Sequence, residues 1–480
     1  MNHLPVSRLF GVACVLALLM AVLSIAPAGP ATATTPFDCD GFTCTDVTFT
    51  GGNGLTLHGT VIGPAEPHAQ LPGIVLVGGS GPVPRTQVQY EARAFAAAGL
   101  TALVYDKRTD GYSYAHRDFS LLADDTLAAV QTLRRTTGVR ADQVGVWGFS
   151  EGGWVAPLAA SRSGDIAFVL TLGASGFSPL RTQTWSLAMT LRHRGAGGSL
   201  SDTIAGPAAR LLGDTGAFPE ANFDPLPALA ALHIPVLALW GQYDVQVPPA
   251  ESAAVLRNTL TAAPSVTIGF LPDTAHNGRA TTDGFDRLGT APSPGAPRGA
   301  FAPGYLDTMT TWIHRVTGGT PPPSSAATPP IQAVTSSDPG HGWTTSARTQ
   351  LALIAALVLV FTICLWRTFA HRDTHTGSTT RRRTRALVCT GLLSVLATVA
   401  YAISILAFNA RTTGPIIASR PLAWLVLQLL AVLTAALFAG SALAAVRTKL
   451  PIRQRFSQVA PLLAGCLWFT WSITWGLFTF

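Results

Sequence analysis

Charged residues are scarce in this chain, and acidic residues almost disappear from its C-terminal part. Only 12% of the 480 residues are charged. Residues 348–480 contain 13 basic residues and one acidic residue, whereas residues 34–347 contain 18 basic and 24 acidic residues. The basic pI of 9.4 therefore comes from the flanks of apolar segments, which favour anionic lipid headgroups. We expect no nucleic-acid partner.

Cysteine is also rare, with six in the chain. Cys39 and Cys44 are the only two in the part expected to be soluble. Export would allow a disulfide between them, and two free thiols are the alternative. The glycine-rich segment 78–82 lacks both the Lys-Ser/Thr of a P-loop and a G-x-G-x-x-G sequence that opens a helix. A phosphate-binding loop is therefore excluded there.

Long apolar runs, in contrast, are abundant. Arg8 precedes an apolar run over residues 9–25, and Ala31-Thr32-Ala33 offers small residues for cleavage. Residues 1–33 are therefore predicted to be a secretory signal peptide, with an uncleaved signal anchor as the alternative. In either case, the domain that follows leaves the cytoplasm.

The C-terminal part is predicted to be an all-α region of four transmembrane helices. It follows a segment rich in Pro, Ser and Thr, residues 318–347, which is predicted to be an extended and flexible linker. Each apolar stretch has the roughly 20 residues that a bilayer-spanning helix needs. The four spans are residues 349–369, 386–408, 421–446 and 457–480.

Basic residues mark one side of the predicted membrane region. They follow the first span and the third span, whereas the loop between the second and third spans has only Arg411 and Arg420. The positive-inside rule then places the two basic loops in the cytoplasm and the preceding domain outside. The basic positions are Arg367, Arg372, Arg381, Arg382, Arg383, Arg385, Arg447, Lys449, Arg453 and Arg455.

A short motif carries most of the chemical information in the exported part. Gly148-Phe149-Ser150-Glu151-Gly152 follows an apolar strand pattern and precedes a helical pattern. A serine between a strand and a helix sits on a sharp turn that exposes its hydroxyl, and glycines on either side prevent collisions. We interpret Ser150 as a nucleophile; a plain glycine-rich turn is the alternative.

A serine nucleophile needs a base and an acid that orients this base, and in this arrangement the chain order is Ser, Asp or Glu, then His. Asp244 comes just after the buried strand pattern of residues 234–240, at the strand end where such sheets hold their active sites. His276 follows the next strand pattern, residues 266–271. The predicted triad is Ser150, Asp244 and His276; a loop or helix-capping role is the alternative for Asp244.

The oxyanion hole of such a site needs two backbone N–H donors. One is expected to be the amide of Glu151, the residue after the nucleophile. The other is expected from the loop after the third strand, at Ser80, with Gly79 as the neighbour that could replace it. The run Asp106-Lys107-Arg108 is interpreted as a structural ion network beneath the site, without a catalytic role.

These motifs resemble those of the α/β-hydrolase superfamily, in its dienelactone-hydrolase-like and prolyl-oligopeptidase-like branch of bacterial serine esterases. The similarity rests on Gly79-Ser80-Gly81-Pro82, on residues 105–108 and on residues 148–153, and it covers about residues 44–317. Gly78 stands where those esterases usually have a histidine. The resemblance implies hydrolysis of a carboxylic ester through an acyl-enzyme, without a metal or an organic cofactor.

The remaining pattern independently favours an α/β fold over residues 34–317. A hairpin around residues 51–54 is followed by apolar strands that alternate with helices, which indicates a mostly parallel central sheet flanked by helices. Residues 177–231 interrupt this rhythm and are expected to form a small cap insertion over the active site. A surface helix pair is the alternative for this segment.

Three functional hypotheses follow. The first is an exported, membrane-anchored carboxylesterase that acts on a small ester or acyl substrate. The second uses the same chemistry as an S9-like peptidase or as an envelope acyltransferase. The third is a catalytically silent ectodomain that binds a ligand and docks through the spans. The lipid bilayer is an expected partner in all three, and the sequence identifies no protein partner.

Overall fold

A computed structural model describes residues 37–66, 70–113, 116–287, 299–338, 342–370, 378–447 and 452–479. The predicted signal peptide, residues 1–33, lies outside the described residues.

A nine-stranded sheet forms the centre of the first part of the chain. Its spatial order is β1-β2-β4-β3-β5-β6-β7-β8-β9. The β1–β2 and β2–β4 pairs are antiparallel and all other neighbours are parallel. The strands are β1 (Phe42–Thr50), β2 (Thr56–Pro64), β3 (Leu71–Val77), β4 (Thr101–Tyr105), β5 (Val139–Phe149), β6 (Val169–Leu172), β7 (Val236–Gly241), β8 (Val266–Leu271) and β9 (Ser325–Ala326). The predicted mostly parallel sheet and its N-terminal hairpin are confirmed.

Helices cover both faces of this sheet because both faces of its central strands are apolar. In β3, Val75 and Val77 join the core on one side of the sheet, whereas Ile74 and Leu76 join the core on the other side. This period of two is what a strand buried on both faces requires. The covering helices are α1 (Gln89–Ala97), α2 (Phe119–Arg134), α3 (Gly152–Ala160), α8 (Pro249–Thr259) and α9 (Tyr305–Thr317).

The segment predicted to be a flexible linker is instead attached to the sheet. Ser325 and Ala326 form β9, which pairs with β8. Further along, the indole N–H of Trp185 donates to the carbonyl of Val334 at 2.8 Å. The amide of Ser336 donates to the Glu251 carboxylate at 2.8 Å. Polar and proline-rich composition misled the prediction, since these contacts use backbone groups that composition does not reveal.

Four helices follow: α10 (Ala347–Ala370), α11 (Ser378–Ala407), α12 (Leu422–Arg447) and α13 (Ile452–Thr474). The first three are long and apolar enough to cross a bilayer, whereas the apolar part of α13 is shorter among the described residues. The apolar part of α13 covers only Val459–Thr474, which is about 24 Å long at 1.5 Å per residue. Gly476, with a φ of 66°, follows the helix in a left-handed conformation.

The insertion between β6 and β7, residues 177–231, packs against the end of this helix bundle. It contains α4 (Pro179–His193), α5 (Ser199–Thr203), a π-helical turn, α6 (Ala209–Asp214) and α7 (Leu226–Ala230). One hydrophobic core contains Leu187, Leu191 and Leu200 of the insertion together with Trp424 and Trp475 of the bundle. The insertion and the bundle therefore bury apolar side chains against each other in one core.

Hydrogen bonds connect the same two parts. The hydroxyl of Thr203 donates to the carbonyl of Trp475 at 2.8 Å. The indole N–H of Trp424 donates to the Ser199 hydroxyl at 3.2 Å. The amide of Gly197 donates to the carbonyl of Ser419 at 2.8 Å. The first two of these pairs are buried and favour one docking geometry, because an unpaired buried donor or acceptor is costly.

We expect Leu200→Ala to lower the free energy of unfolding by about 2–5 kcal/mol, because it leaves a cavity in a fully buried interface. Leu200 is 0% exposed. Leu226→Ala makes the same change in the same insertion at a residue that is 40% exposed, so a change within about 0.5 kcal/mol is expected. Thermal unfolding of the detergent-solubilised chain compares the two. Equal melting temperatures would contradict the shared core.

Candidate active site

Ser150 lies on a strained turn between β5 and α3. Its φ is 55°, in the left-handed region that a non-glycine residue rarely adopts. Its amide donates to the carbonyl of Leu172 at 2.9 Å. A Cβ on Gly148 would lie 2.1 Å from the carbonyl oxygen of Gly152, and a Cβ on Gly152 would lie 2.3 Å from that of Val77. Both flanking positions therefore require glycine, as in a nucleophile elbow.

Asp244 and His276, which follow β7 and β8, form a buried pair. The His276 Nδ1 atom lies 2.8 Å from the Asp244 Oδ2 atom, and each residue is 4% exposed. The other Asp244 oxygen accepts the amides of Gln246 and Val247, each at 2.9 Å. When the Asp244 carboxylate is ionised it can only accept, so Nδ1 then donates to it and Nε2 keeps a free lone pair. This is the tautomer that a general base needs.

The His276 ring is held beside the serine turn. It packs against the ring of Phe149, the residue before Ser150, with centroids 5.1 Å apart. On another side it contacts Gly173, which follows β6 and has a φ of 64°, where a Cβ would lie 2.6 Å from the His276 Cε1 atom. The structure thus brings Asp244 and His276 into contact. Within the described ranges, the Ser150 hydroxyl has no hydrogen-bond partner.

Three backbone amides near Ser150 lack a hydrogen-bond acceptor in the protein, and of these three residues only Ser80 is exposed. Those of Gly79, Ser80 and Glu151 donate to no protein acceptor within the part of the chain that the structure describes. Gly79 is close to the turn, since a Cβ on it would lie 3.4 Å from the Ser150 Cβ. Amides without a protein acceptor are the donors that an oxyanion requires. On the loop side, both Gly79 and Ser80 have such an amide.

A cluster of charged and polar side chains lies directly behind these amides. The Glu151 side chain is 0% exposed, and its carboxylate accepts from Lys107, from the Tyr112 hydroxyl at 2.7 Å and from Arg117 at 3.1 Å. The Lys107 ammonium also donates to the carbonyl of Gly79 at 2.7 Å. Burial lowers the pKa of Lys107 from its usual value, and the Glu151 carboxylate opposes this shift. We call these four side chains the elbow cluster: Lys107, Arg117, Glu151 and Tyr112.

Residues 106–108 do not form the single ion network that the sequence predicts. Each of the three side chains binds a different set of partners. Asp106 accepts the amide of Arg85 at 2.9 Å. Lys107 joins the elbow cluster, and Arg108 forms a two-pronged pair with Asp125. Only Lys107 approaches the serine turn.

Sequence reasoning missed Tyr112, Arg117 and Gly173. Nothing in their local sequence marks them, because Tyr112 and Arg117 are in a connecting segment and Gly173 is one of many glycines. Glu151 was predicted for its amide alone, and its buried side chain gave no sequence signal. Among the described residues, no group of three or more His, Cys, Asp or Glu side chains could hold a metal ion.

The predicted pair Cys39 and Cys44 is present as a disulfide in the structure. It lies at the start of β1, on the edge of the sheet that is remote from β7 and β8. It therefore belongs to the sheet edge and not to the candidate site.

We expect Gly173→Ala to destabilise the chain by about 1–3 kcal/mol, because a side chain is strained at this positive φ and its Cβ would collide with His276. Gly164→Ala is the control, since a Cβ there meets nothing within 4 Å. Thermal unfolding of both variants checks the expectation. A Gly173→Ala protein as stable as the control would contradict the close approach.

No protein-family model matches this chain, and no curated protein matches it. Among solved structures, it is similar to a 2,6-dihydroxy-pseudo-oxynicotine hydrolase at 15% identity, covering 59% of this chain and 71% of that one, with a TM-score of 0.40. A dienelactone hydrolase from Anabaena variabilis has 16% identity over 59% of this chain and 100% of its own, with a TM-score of 0.35. An esterase from Pyrococcus furiosus has 18% identity over 50% of this chain and 84% of its own, with a TM-score of 0.36.

These low identities and TM-scores do not assign an activity to this chain. The architecture is established by this chain's own sheet order and by the positions of Ser150, Asp244 and His276 after β5, β7 and β8. On those grounds, residues 37–326 have the α/β-hydrolase fold.

Proposed function

We propose that this protein is a membrane-held serine hydrolase that cleaves carboxylic esters through an acyl-enzyme. The observation that supports it most is the strained Ser150 turn beside the buried Asp244–His276 pair, whose Nδ1–Oδ2 distance is 2.8 Å. In this proposal Ser150 is the nucleophile, His276 is the general base and then the general acid, and Asp244 orients the imidazole.

The reaction proceeds in two halves. The His276 Nε2 atom takes the proton from the Ser150 hydroxyl as its oxygen attacks the ester carbonyl. The oxyanion is stabilised by the amide of Glu151 and by that of Ser80 or Gly79. The imidazolium then protonates the leaving alcohol, and water activated by the same imidazole releases the acid. No other residue is required to move a proton.

Transfer of the acyl group to an acceptor alcohol is the second candidate. It uses the same acyl-enzyme, and the packing of residues 177–231 on the helix bundle favours it, because that packing keeps the site near membrane-bound acceptors. A peptidase would show itself by turnover of amides in a substrate panel.

The test is covalent labelling of the full chain with a fluorophosphonate, followed by intact-mass measurement. We expect one adduct on the wild type and none on Ser150→Ala, because only an activated serine reacts. Ser161→Ala is the control, because it makes the same change at the C-terminal end of α3. It should label like the wild type. A folded wild type that stays unlabelled and hydrolyses no ester would overturn the proposal in favour of a catalytically silent ligand-binding domain.

We also propose that the hydrolase part faces outward. The insertion packs on the end of the bundle that holds the α11–α12 loop and Trp475, whereas Arg381, Arg382 and Arg447 lie at the opposite helix ends. The positive-inside rule assigns those basic ends to the cytoplasm.

Labelling of single reactive cysteines in intact cells tests this orientation, in a background in which Cys14, Cys364, Cys389 and Cys466 are replaced by alanine and the Cys39–Cys44 disulfide is kept. A membrane-impermeant maleimide is expected to modify Ala262→Cys on the hydrolase part and to leave Arg382→Cys unmodified until the cells are lysed. Both positions are exposed. The reverse pattern would refute the orientation without affecting the proposed chemistry.

A further inference from the structure

The loop that carries one candidate oxyanion donor is attached to the elbow cluster at three consecutive residues. The Gly79 carbonyl accepts from the Lys107 ammonium at 2.7 Å. The Ser80 hydroxyl donates to the Glu151 carboxylate at 3.4 Å. The Gly81 amide donates to the Tyr112 hydroxyl at 2.9 Å. This loop therefore has its position set by side chains behind it.

The other candidate donor is attached to the same cluster. Glu151 follows Ser150 directly, so the residue that supplies this amide also supplies the carboxylate that Lys107 and Tyr112 bind. The Lys107 ammonium also donates to the Tyr112 hydroxyl at 3.0 Å. One ammonium group thus connects the two backbone segments that border the Ser150 hydroxyl.

The contact between Lys107 and Gly79 has a directional consequence. The Gly79 carbonyl and the Ser80 N–H belong to one peptide unit, which is planar and trans, so the two groups point in opposite directions. When Lys107 holds the carbonyl back into the protein, the Ser80 N–H must point away from Lys107. Without a Cβ on Gly79, the unattached peptide would rotate at little cost.

The burial of the cluster supports the same function. Lys107 and Arg117 both contact the Glu151 carboxylate, and the three side chains are 8%, 7% and 0% exposed. Water therefore screens these interactions poorly, which strengthens the hydrogen bonds that hold the loop in place. A buried ion cluster contributes little to stability compared with apolar packing, so stability alone does not account for it.

We infer that Lys107 and Tyr112 are positioning residues that aim the Ser80 amide at the oxyanion formed on Ser150. This inference rests on the proposed serine-hydrolase function and adds to it which of the two loop amides, Gly79 or Ser80, donates. Neither Lys107 nor Tyr112 touches the substrate; both act through the backbone of residues 79–81.

The test uses the full chain in detergent and begins with the wild type, which must label with fluorophosphonate and hydrolyse a p-nitrophenyl ester. Lys107→Met removes the ammonium while keeping the length of the side chain. Its kcat is expected to fall about 100-fold, as when an oxyanion donor is lost, with KM changed less than about threefold because the ground-state carbonyl carries little charge.

A boronic acid distinguishes positioning from a general structural defect. It forms a tetrahedral anion on the serine, so its affinity should weaken by about the same factor as kcat. Tyr112→Phe, which frees the Gly81 amide but leaves the charges in place, should lower kcat and boronate affinity together by about 10-fold. If Lys107→Met does not fold, the kcat and boronate affinity of Tyr112→Phe test the inference.

Asp125→Asn is the matched control, because it disrupts the adjacent buried Arg108–Asp125 pair without contacting residues 79–81. It should lower the melting temperature and leave kcat within about threefold of the wild type. A wild type without any reaction would refute the proposed function itself. An active wild type with unchanged kcat in Lys107→Met and Tyr112→Phe, or with lower kcat but unchanged boronate affinity, would overturn the inference.

Discussion

The buried carboxylate of Glu151 constrains more of this structure than any other single group. An ion taken out of water costs several kcal/mol unless it is paired and hydrogen-bonded, and Glu151 is fully buried directly after the serine turn. Lys107, Tyr112 and Arg117 all contact it from the segment between β4 and α2, and the Ser80 hydroxyl donates to it from the glycine-rich loop. Satisfying one charge therefore fixes the relative positions of the elbow, the glycine-rich loop and the segment between β4 and α2.

The second constraint is the contact between the insertion and the helix bundle. An anchor needs only one apolar helix, but here the helices also form part of the core that covers one side of residues 187–208. The bundle therefore completes part of the core of the folded chain, and three of its helices are also long and apolar enough to cross a bilayer. The insertion begins shortly after β6 and Gly173, which contacts His276, so α4 connects the region of the candidate site to the helix bundle.

Sequence patterns predicted the sheet well because they report local physics. The alternating burial of Ile74, Val75, Leu76 and Val77 is encoded in four adjacent residues, and glycine spacing marks the elbow. The pairing of Lys107 with Glu151 spans 44 residues and has no periodic signal, so the elbow cluster could not be found. The fourth span stays a prediction: its apolar composition continues past Thr474, where the helix ends. The orientation and the catalytic roles stay predictions.

The shared core of insertion and bundle also sets an order of events during synthesis. Thr203 and Trp475, which are hydrogen-bonded in the finished protein, are 272 residues apart in the chain. At typical translation rates that separation corresponds to tens of seconds, on the order of 14 to 54 s. For that interval the apolar face of α4 and α5 has emerged from the ribosome without its cover. The cover is therefore completed only when α13 and Trp475 have been made, after α10, α11 and α12 have supplied the rest of it.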